Sequence, residues 1–351
     1  MADDLRHPAL RVTADGVPVR GAFAAQATNT NHAGADRFRA RAALHADPAM
    51  GVAFWSAAEG VSIAVAFGLN GAAITPIEGL IDRVEVDLVG GVVLLEGRDR
   101  TAALIEARTS EAFANQTSSE IAMALAGRHG LGAQVMPTTT PVGRYWQLEH
   151  DRVTLDRFAA ARTEWDLLLG LAAREGFDVW VRGRTLFFQP PAADGDALVV
   201  RAAAPASVSG LRLERSLTLA RDIEVTVRSW NSKLAQGFTE TARATRDGAG
   251  GGRSGRDLLR YSYVVPDLLP DAARALALRH LRELSAHERV IEAEMPGDLT
   301  TDVRAALRVE GTGSDWDQDY VIDEVTRRYD ARGGFSQSVR ARNVSCGVEI
   351  G

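Results

Sequence analysis

The sequence predicts an α+β protein that is mainly β, with two β-barrel-like domains flanking a small α/β region. Three observations predict this fold. Apolar and polar residues alternate with a period of two over the first hundred residues, and again after residue 193. Helical spacing replaces this alternation between them, and one further helical pattern interrupts the second β region. We therefore expect domains over 1–105, 106–192 and 193–351, with a helix inserted at 270–289.

The first region is predicted to consist of short strands joined by turns. Residues 37–44 alternate between arginines and apolar residues, and the same period appears at 61–67 and 83–88. Gly90-Gly91 separates two β-rich runs and predicts a hairpin, because glycine reaches the positive φ that tight turns need. Repeated short strands with turn signals favour a barrel or a sandwich.

The middle region contains two predicted helices. Residues 117–120 match the capping box S/T-x-x-E, and Gly130 stands where that helix is expected to stop. A second helix runs from Trp165 to a stop at Gly176, and Gly183-Arg184 then turns a hairpin.

These two helices carry a related sequence. Residues 125–135 align with 171–181 at an offset of 46, and both follow L-A-x-R-x-G. Internal duplication and a chance likeness between helix–glycine–strand units both explain the match.

The third region returns to strands after the linker-like residues 190–197. Its helix is expected to begin near Pro270, because proline is favoured in the first turn. Residues 247–255 are predicted to form a flexible loop, and Gly333-Gly334 is predicted to turn the last hairpin.

Composition excludes several classes of protein. The chain has 351 residues, 46% hydrophobic and 25% charged, which is typical of globular domains rather than disordered chains. The net charge of −6 argues against specific binding to nucleic acid. Cys346 is the only cysteine, so an internal disulfide and a cysteine-based zinc site are excluded. Residues 1–12 lack a secretory signal and no apolar run has the length of a membrane span, which predicts synthesis in a cytoplasm without a membrane anchor.

The sequence contains neither a phosphate-loop motif nor a serine-nucleophile motif. Residues 248–255 are glycine-rich, but the only lysine is Lys233, and a phosphate loop needs a lysine within it. G-x-S-x-G is absent.

Three aspartates have the opening spacing of a calcium loop: Asp315, Asp317 and Asp319. Tyr320 stands where such a loop requires glycine, and Thr326 stands where it requires glutamate, so an EF-hand is excluded. We expect a solvated turn, with a weaker cation site as the alternative.

Histidines, carboxylate pairs and tryptophans have structural interpretations. His280 and His287 lie seven residues apart, whereas a helical metal pair prefers four, and we expect His280 to be packed. His129 is expected to favour a helix C-terminus electrostatically. Two pairs of carboxylates are predicted to be surface charges: Glu149/Asp151 and Glu164/Asp166. Four tryptophans are predicted to be core or interface aromatics: Trp146, Trp165, Trp180 and Trp230. No catalytic, cofactor-binding or metal-binding residues are predicted, which favours binding or assembly over catalysis.

Four segments, taken in order, resemble the phage late control D family: residues 115–131, 163–190, 223–234 and 307–343. Within them the family's motifs match Trp165-Asp166-Leu167-Leu168, Leu171-Ala172, Gly176, Leu186-Phe187-Phe188, Val227 to Trp230-Asn231, and Tyr320, Ile322 and Val325. Asp319 departs from the pattern, because glycine is common at that position.

The resemblance implies a structural baseplate hub of a contractile tail, related to the N-terminal hub part of type VI and contractile injection system spike proteins. Such hubs are homotrimers that join a six-fold tail tube to a three-fold central spike, and they catalyse nothing. The implied partners are a separate spike protein, a tail tube or distal tail protein, a tape-measure protein and the baseplate wedge. The implied location is the virion tail, assembled in the bacterial host cytoplasm.

Two alternatives to the hub remain: a tail-associated peptidoglycan hydrolase and a carbohydrate-binding β module. Arg37, Arg39 and Arg41 are expected to face a neighbouring copy or a lumen, with plain solvent exposure as the alternative.

Overall fold

The computed structural model describes residues 6–148, 151–157, 163–191, 197–203, 206–220, 222–231, 234–244, 258–266 and 268–344, with the backbone alone in 144–148 and 151–157. The chain divides into two compact units. The first comprises Met1–Gly195, Met295–Arg304 and Glu324–Ser338, and the second comprises Asp196–Glu294, Ala305–Asp323 and Val339–Gly351. The described elements are mostly strands with a few helices, which confirms the predicted α+β, mainly β class.

The first unit opens with antiparallel strands. They are β1 (Pro8–Ala14), β2 (Val17–Pro18), β3 (Ala22–Thr30), β4 (Arg37–Ala43), β5 (Ser62–Leu69), β6 (Ala72–Asp87) and β7 (Val92–Asp99), with a 3₁₀ turn at Pro48–Met50 and helix α1 (Val52–Ser56) between β4 and β5. Their hydrogen-bonded order is β3-β4-β7-β6-β5-β1-β2. Residues Glu324–Asp330 pair with Ala24–Thr30 of β3 and extend this sheet.

The predicted alternation determines which face of this sheet forms the core. Phe38, Ala40 and Ala42 of β4 are buried, whereas Arg37 and Arg39 are exposed. β6 and β7 form the hairpin predicted at Gly90-Gly91.

The barrel-like expectation needs one correction. Among the described strands no ladder closes a sheet into a barrel, and β2, the end of the order in the first unit, pairs only with β1 over two residues. The sheet that these described strands form is therefore open, and the backbone donors and acceptors along its edges have no ladder partners.

An α/β region follows within the first unit. Its elements are α2 (Thr101–Glu106), β8 (Ala112–Ala114), α3 (Ser118–Arg128), β9 (Gly132–Val135), β10 (Arg144–Leu148), β11 (Asp151–Arg157), α4 (Glu164–Glu175), β12 (Asp178–Arg182) and β13 (Thr185–Gln189). The strands form two three-stranded sheets, β10-β11-β8 and β12-β13-β9. Leu125, Leu168 and Leu171 lie fully buried in a hydrophobic cluster of their own.

The two predicted helices begin with capping boxes. Thr117 and Glu120 cap α3 reciprocally, and Thr163 and Asp166 do the same for α4. These cap residues also lie 46 positions apart, so the predicted repeat extends to the start of both helices.

The contacts between these helices are reciprocal at matching positions. His129 Nε2 lies 2.6 Å from Glu164, and Ser118 donates to Glu175 over 2.5 Å. Ser118 corresponds to Glu164, and His129 corresponds to Glu175, at the same offset of 46. Each helix therefore sets its C-terminal end against the N-terminal end of the other, which favours duplication over chance likeness.

The second unit contains most of the remaining elements. They are β14 (Leu198–Arg201), β15 (Gly210–Arg215), β16 (Ile223–Asn231), β17 (Gln236–Ala244), β18 (Leu259–Val264), α5 (Pro270–Ser285), β19 (Arg289–Pro296), β20 (Ala306–Glu310), β21 (Asp319–Asp330) and β22 (Gly334–Asn343). β19, β21 and β22 continue into segments of the first unit. β15 pairs with β19, and β20 pairs with β14 and β21. The strands β17-β16-β18 form a separate sheet.

Helix α5 covers one face of the β17-β16-β18 sheet. Ala273, Ala277 and Leu281 are buried against Val225 and Val227 of β16. Pro270 occupies its first turn, as predicted. The helix ends at Ser285, short of the expected residue 289, because Arg289 already begins strand β19.

The predicted loop at 247–255 lies outside the described residues. None of the described helices has the length and apolar character needed to cross a membrane.

Candidate functional site

The three aspartates with calcium-loop spacing hold three different partners. Asp317 accepts bonds from the Thr312 and Gly313 amides, which lower its pKa. Asp319 binds the Arg308 guanidinium through both oxygens, at 2.7 and 2.9 Å. Asp315 pairs with Arg289 at 3.4 Å. These carboxylates thus shape their loop rather than converge on one point.

The prediction that Glu164 is a surface charge is wrong, because its carboxylate packs between the two helices. Glu164 is buried at the first turn of α4 and pairs with Arg128 and His129. Asp166 is occupied by its capping bond to Thr163. Of the other predicted pair, Glu149 and the side chain of Asp151 lie outside the described residues.

His280 and His287 lie in different surroundings. His280 stacks on Tyr263 with ring centroids 4.2 Å apart, as expected for a packed side chain. His287 lies beside Arg342, at 3.4 Å. Within the described residues no group of three or more histidine, cysteine, aspartate or glutamate side chains is placed to hold a metal ion.

The tryptophans differ in their surroundings. Trp165 is a core residue whose indole donates to the Ala33 carbonyl over 3.2 Å. Trp180 stacks face to face on Phe187, with centroids 4.9 Å apart. Trp230 is 60% exposed on the surface of the second unit. The side chain of Trp146 lies outside the described residues.

The first unit contains a buried polar network that the sequence did not predict. Arg327 of β21 is almost fully buried and donates to Asn29 of β3 and to the carbonyls of Asp298 and Thr301. Asn29 in turn donates to Asp36 over 2.7 Å. The network ties the C-terminal hairpin to the N-terminal strands. Arg327 and Asn29 are 298 residues apart, so no local sequence pattern predicts their contact.

A cleft of about 340 Å³ adjoins this network within the first unit. The Arg304 guanidinium lies over the Trp180 ring at 4.6 Å and 3.6 Å from Asp178. Arg304 adopts a φ of 69°, which is unusual for a residue with a side chain. Burial lowers the pKa of both Arg304 and Arg327, and nearby aspartates oppose this effect.

Two carboxyl groups that line the cleft have strongly raised pKa values. Burial raises the pKa of Asp36 to about 6 and that of Asp99 to about 8, where the charge of Asp36 adds to the effect. Such shifts are typical of catalytic acids and also of structural networks. Here Asp36 accepts bonds from Asn29 and Thr30, and Asp99 accepts two from Thr101. Both carboxyl groups therefore serve the chain's own hydrogen bonding.

The predicted arginine face of β4 carries cross-strand ion pairs. Arg39 lies 3.1 Å from Glu96 on β7, and Arg41 lies over the Phe23 ring. Arg98 on β7 binds Asp82 on β6 at 2.6 Å. Much of the charge on this face is thus neutralised by neighbouring strands.

No protein-family model matches the sequence, and no curated protein matches it significantly. Solved structures do resemble the fold over nearly the whole chain. The 43 kDa tail protein of prophage MuSo2 from Shewanella oneidensis has a TM-score of 0.69 and 16% identity, covering 96% of this chain and 98% of that one. A tail protein from Neisseria meningitidis has a TM-score of 0.66 and 15% identity, with the same coverage. An Escherichia coli type VI secretion system component has a TM-score of 0.56 and 11% identity, covering 96% of this chain and 77% of that one. The chain therefore has the fold of phage and type VI secretion tail proteins, as the resemblance to the phage late control D family implied.

Proposed function

We propose that this protein is a structural hub of a phage or phage-like contractile tail, which connects the six-fold tail tube to a three-fold central spike. The observation that carries the proposal is the likeness to two tail proteins, one of them from a prophage, over almost the full length of both chains. The proposed hub is a homotrimer in the tail baseplate, assembled in the host cytoplasm. Its proposed partners are a spike protein, the tube or distal tail protein, the tape-measure protein and the baseplate wedge.

The proposal assigns no catalysis to the chain. The cleft of the first unit is the place where a hydrolase would carry its acids, since Asp36 and Asp99 line it. Their oxygens are taken up by Asn29, Thr30 and Thr101, and this supports a structural role for both groups. Replacing Asp36 or Asp99 by asparagine is expected to leave any peptidoglycan clearing by the assembled particle unchanged.

We also propose three folding regions, over 1–105, 106–192 and 193–351. Three hydrophobic clusters among the described residues support this division, one centred on the first seven strands, one on α3 and α4, and one on α5. The first cluster also includes Phe335 of β22, so the region 1–105 packs against the C-terminal hairpin. Expression of residues 106–192 alone, followed by NMR, tests it: dispersed amide signals are expected, and collapsed signals would contradict it.

The proposed function is tested by co-expressing the tagged chain with the adjacent tail genes and measuring complexes by native mass spectrometry. Three chains of 37.6 kDa, about 113 kDa, are expected together with a spike or tube protein. The matched control omits the spike and tube genes from the same expression system. A bare monomer without any tail partner would overturn the hub assignment. The alternatives would then be a peptidoglycan hydrolase and a carbohydrate-binding module.

A further inference from the structure

The face of the β17-β16-β18 sheet that points away from α5 carries an exposed tryptophan. Trp230 is 60% exposed and Val264 is 78% exposed, and both flank Arg228 on this face. Gly237 stands opposite Trp230 on β17, and a Cβ at that glycine would lie 3.5 Å from the indole. The ring therefore rests over a residue without a side chain. We call the face formed by Arg228, Trp230, Gly237, Arg243 and Val264 the open face.

The open face carries two arginines that form no ion pair with the described residues of its own strands. Arg260 on the same face pairs with Glu224 at 3.3 Å. Arg228 and Arg243 are exposed and have no ion pair among the described residues. Tryptophan and arginine are also the residue types that most often dominate the energy of protein interfaces.

The hairpin between β6 and β7 presents the complementary chemistry. Leu88 is 64% exposed and Val89 is fully exposed, although both are large apolar residues. Asp87 adds a negative charge at the same turn, and its Oδ1 accepts bonds from the Val89 and Gly90 amides. Those bonds fix the shape of the turn and hold Leu88 and Val89 at its tip, while Asp87 Oδ2 has no hydrogen bond among the described residues.

We propose that the β6–β7 hairpin tip of one copy docks on the open face of a second copy of this chain. Leu88 and Val89 would bury against Trp230 and Val264, while Asp87 meets the unpaired guanidinium of Arg228. The two patches differ, so the contact is head-to-tail, and a contact of that kind generates a closed ring when its rotation closes. The inference rests on the proposed homotrimeric hub and names the residues that would join its copies.

Cysteine trapping between separate chains tests the docking directly. All variants carry Cys346→Ser, which removes the only natural cysteine. One preparation carries Val89→Cys at the tip, and another carries Thr239→Cys on β17, directly opposite Arg228 of β16. Under mild oxidation, a disulfide-linked dimer is expected in the mixture and in neither preparation alone.

A matched control replaces Thr239→Cys by Leu217→Cys, which is exposed elsewhere in the second unit. This mixture is expected to give at least tenfold less dimer. Equal yields from both mixtures, or no dimer from either, would overturn the docking.

Side-chain removal provides an independent readout on the complex purified with the tail proteins. Trp230→Ala and Arg228→Glu are each expected to lower the fraction of trimer at least tenfold. Leu217→Ala and Arg212→Glu serve as controls, because Arg212 is exposed and pairs with Glu292 within the unit. Unchanged circular dichroism of each variant establishes that it is folded.

The outcomes separate this inference from the proposed function. A trimer with its tail partners but without the disulfide between Val89→Cys and Thr239→Cys would overturn the inference and leave the hub intact. Loss of the spike or tube protein with an intact trimer, in Trp230→Ala, would show that another protein occupies the open face. A monomer that has neither disulfide nor tail partners would overturn both. Protection of Trp230 from oxidation by a thirty-residue oligothymidylate would instead point to nucleic acid.

Discussion

The buried residues Asp36 and Asp99 make the stability of the fold depend on pH. Both carboxyl groups are buried, and burial raises their pKa above the ordinary value of 3.8. A raised pKa means that the folded chain holds a proton that the unfolded chain releases. The stability that these groups contribute is therefore complete below about pH 4 and is lost as pH rises through the folded pKa.

Replacing Asp99 by asparagine should stabilise the protein at alkaline pH. The pKa of Asp99 lies at about 8, so above that pH the wild type must bury a carboxylate and the variant does not. The expected gain at about pH 9 is several kcal/mol, because a change of one in the pKa corresponds to about 1.4 kcal/mol, and it should vanish near pH 4. Thermal midpoints measured across this range check it. Asp319→Asn is the control: Arg308 lowers the pKa of Asp319, so its contribution disappears only in acid.

Arg327 is the residue whose loss should damage the first unit most clearly. Arg327→Met would leave the buried Asn29 and the Asp298 and Thr301 carbonyls without their donor. Leaving buried polar groups unpaired costs about 1–3 kcal/mol each, so a drop of several degrees in the thermal midpoint is expected. Arg328→Met is the matched control, since the neighbouring side chain is exposed. Equal losses in the two variants would contradict the importance of the buried network.

At the scale of elements, α4 was predictable because its signals are local. The apolar spacing that begins at Trp165 and the stop at Gly176 lie close together in the sequence, and the structure confirms both. The β6–β7 hairpin was predictable for the same reason. The C-terminal end of α5 was less so, because Arg289 pairs in β19 with the distant strand β15.

Two glycines of α4 should respond to alanine in opposite directions. Gly176 ends the helix at a φ of 72°, and nothing lies within 4 Å of an added Cβ, so Gly176→Ala is expected to cost about 1 kcal/mol through backbone strain alone. Gly170 lies in the exposed helix interior with equally open surroundings, so Gly170→Ala is expected to gain about 0.5–1 kcal/mol. Thermal unfolding of both variants measures the difference. A loss in both would indicate a steric cause that the open surroundings do not provide.

At the scale of the whole molecule, the first unit is built from both ends of the chain. Residues Glu324–Asp330 pair with β3 across seven positions, and Arg327 anchors them there. The order of the predicted strands along the sequence suggested consecutive domains, whereas the compact units combine segments that are far apart in sequence.

Removing the C-terminal segments should therefore destabilise the N-terminal strands of the first unit. A chain that ends at Pro296 lacks the partner of β3 and is expected to lose the cooperative unfolding of its first unit. Deletion after Asn343 retains every strand of the last hairpin and should keep the wild-type transition. Circular dichroism during heating distinguishes the two, and a fully cooperative transition in the shorter chain would contradict the shared construction.

The sequence by itself determined the mainly β class, the α/β middle, the helix caps and the hairpin turns, because those features arise from neighbouring residues. It also indicated the tail-protein fold, through the order of several weak motifs. Tertiary structure decided which distant residues meet: Arg327 with Asn29, Asp36 beside Asp99, and the exposure of Trp230 over Gly237. Long-range strand pairing determines these contacts. The local alternation of apolar and polar residues does not predict which distant strands will pair.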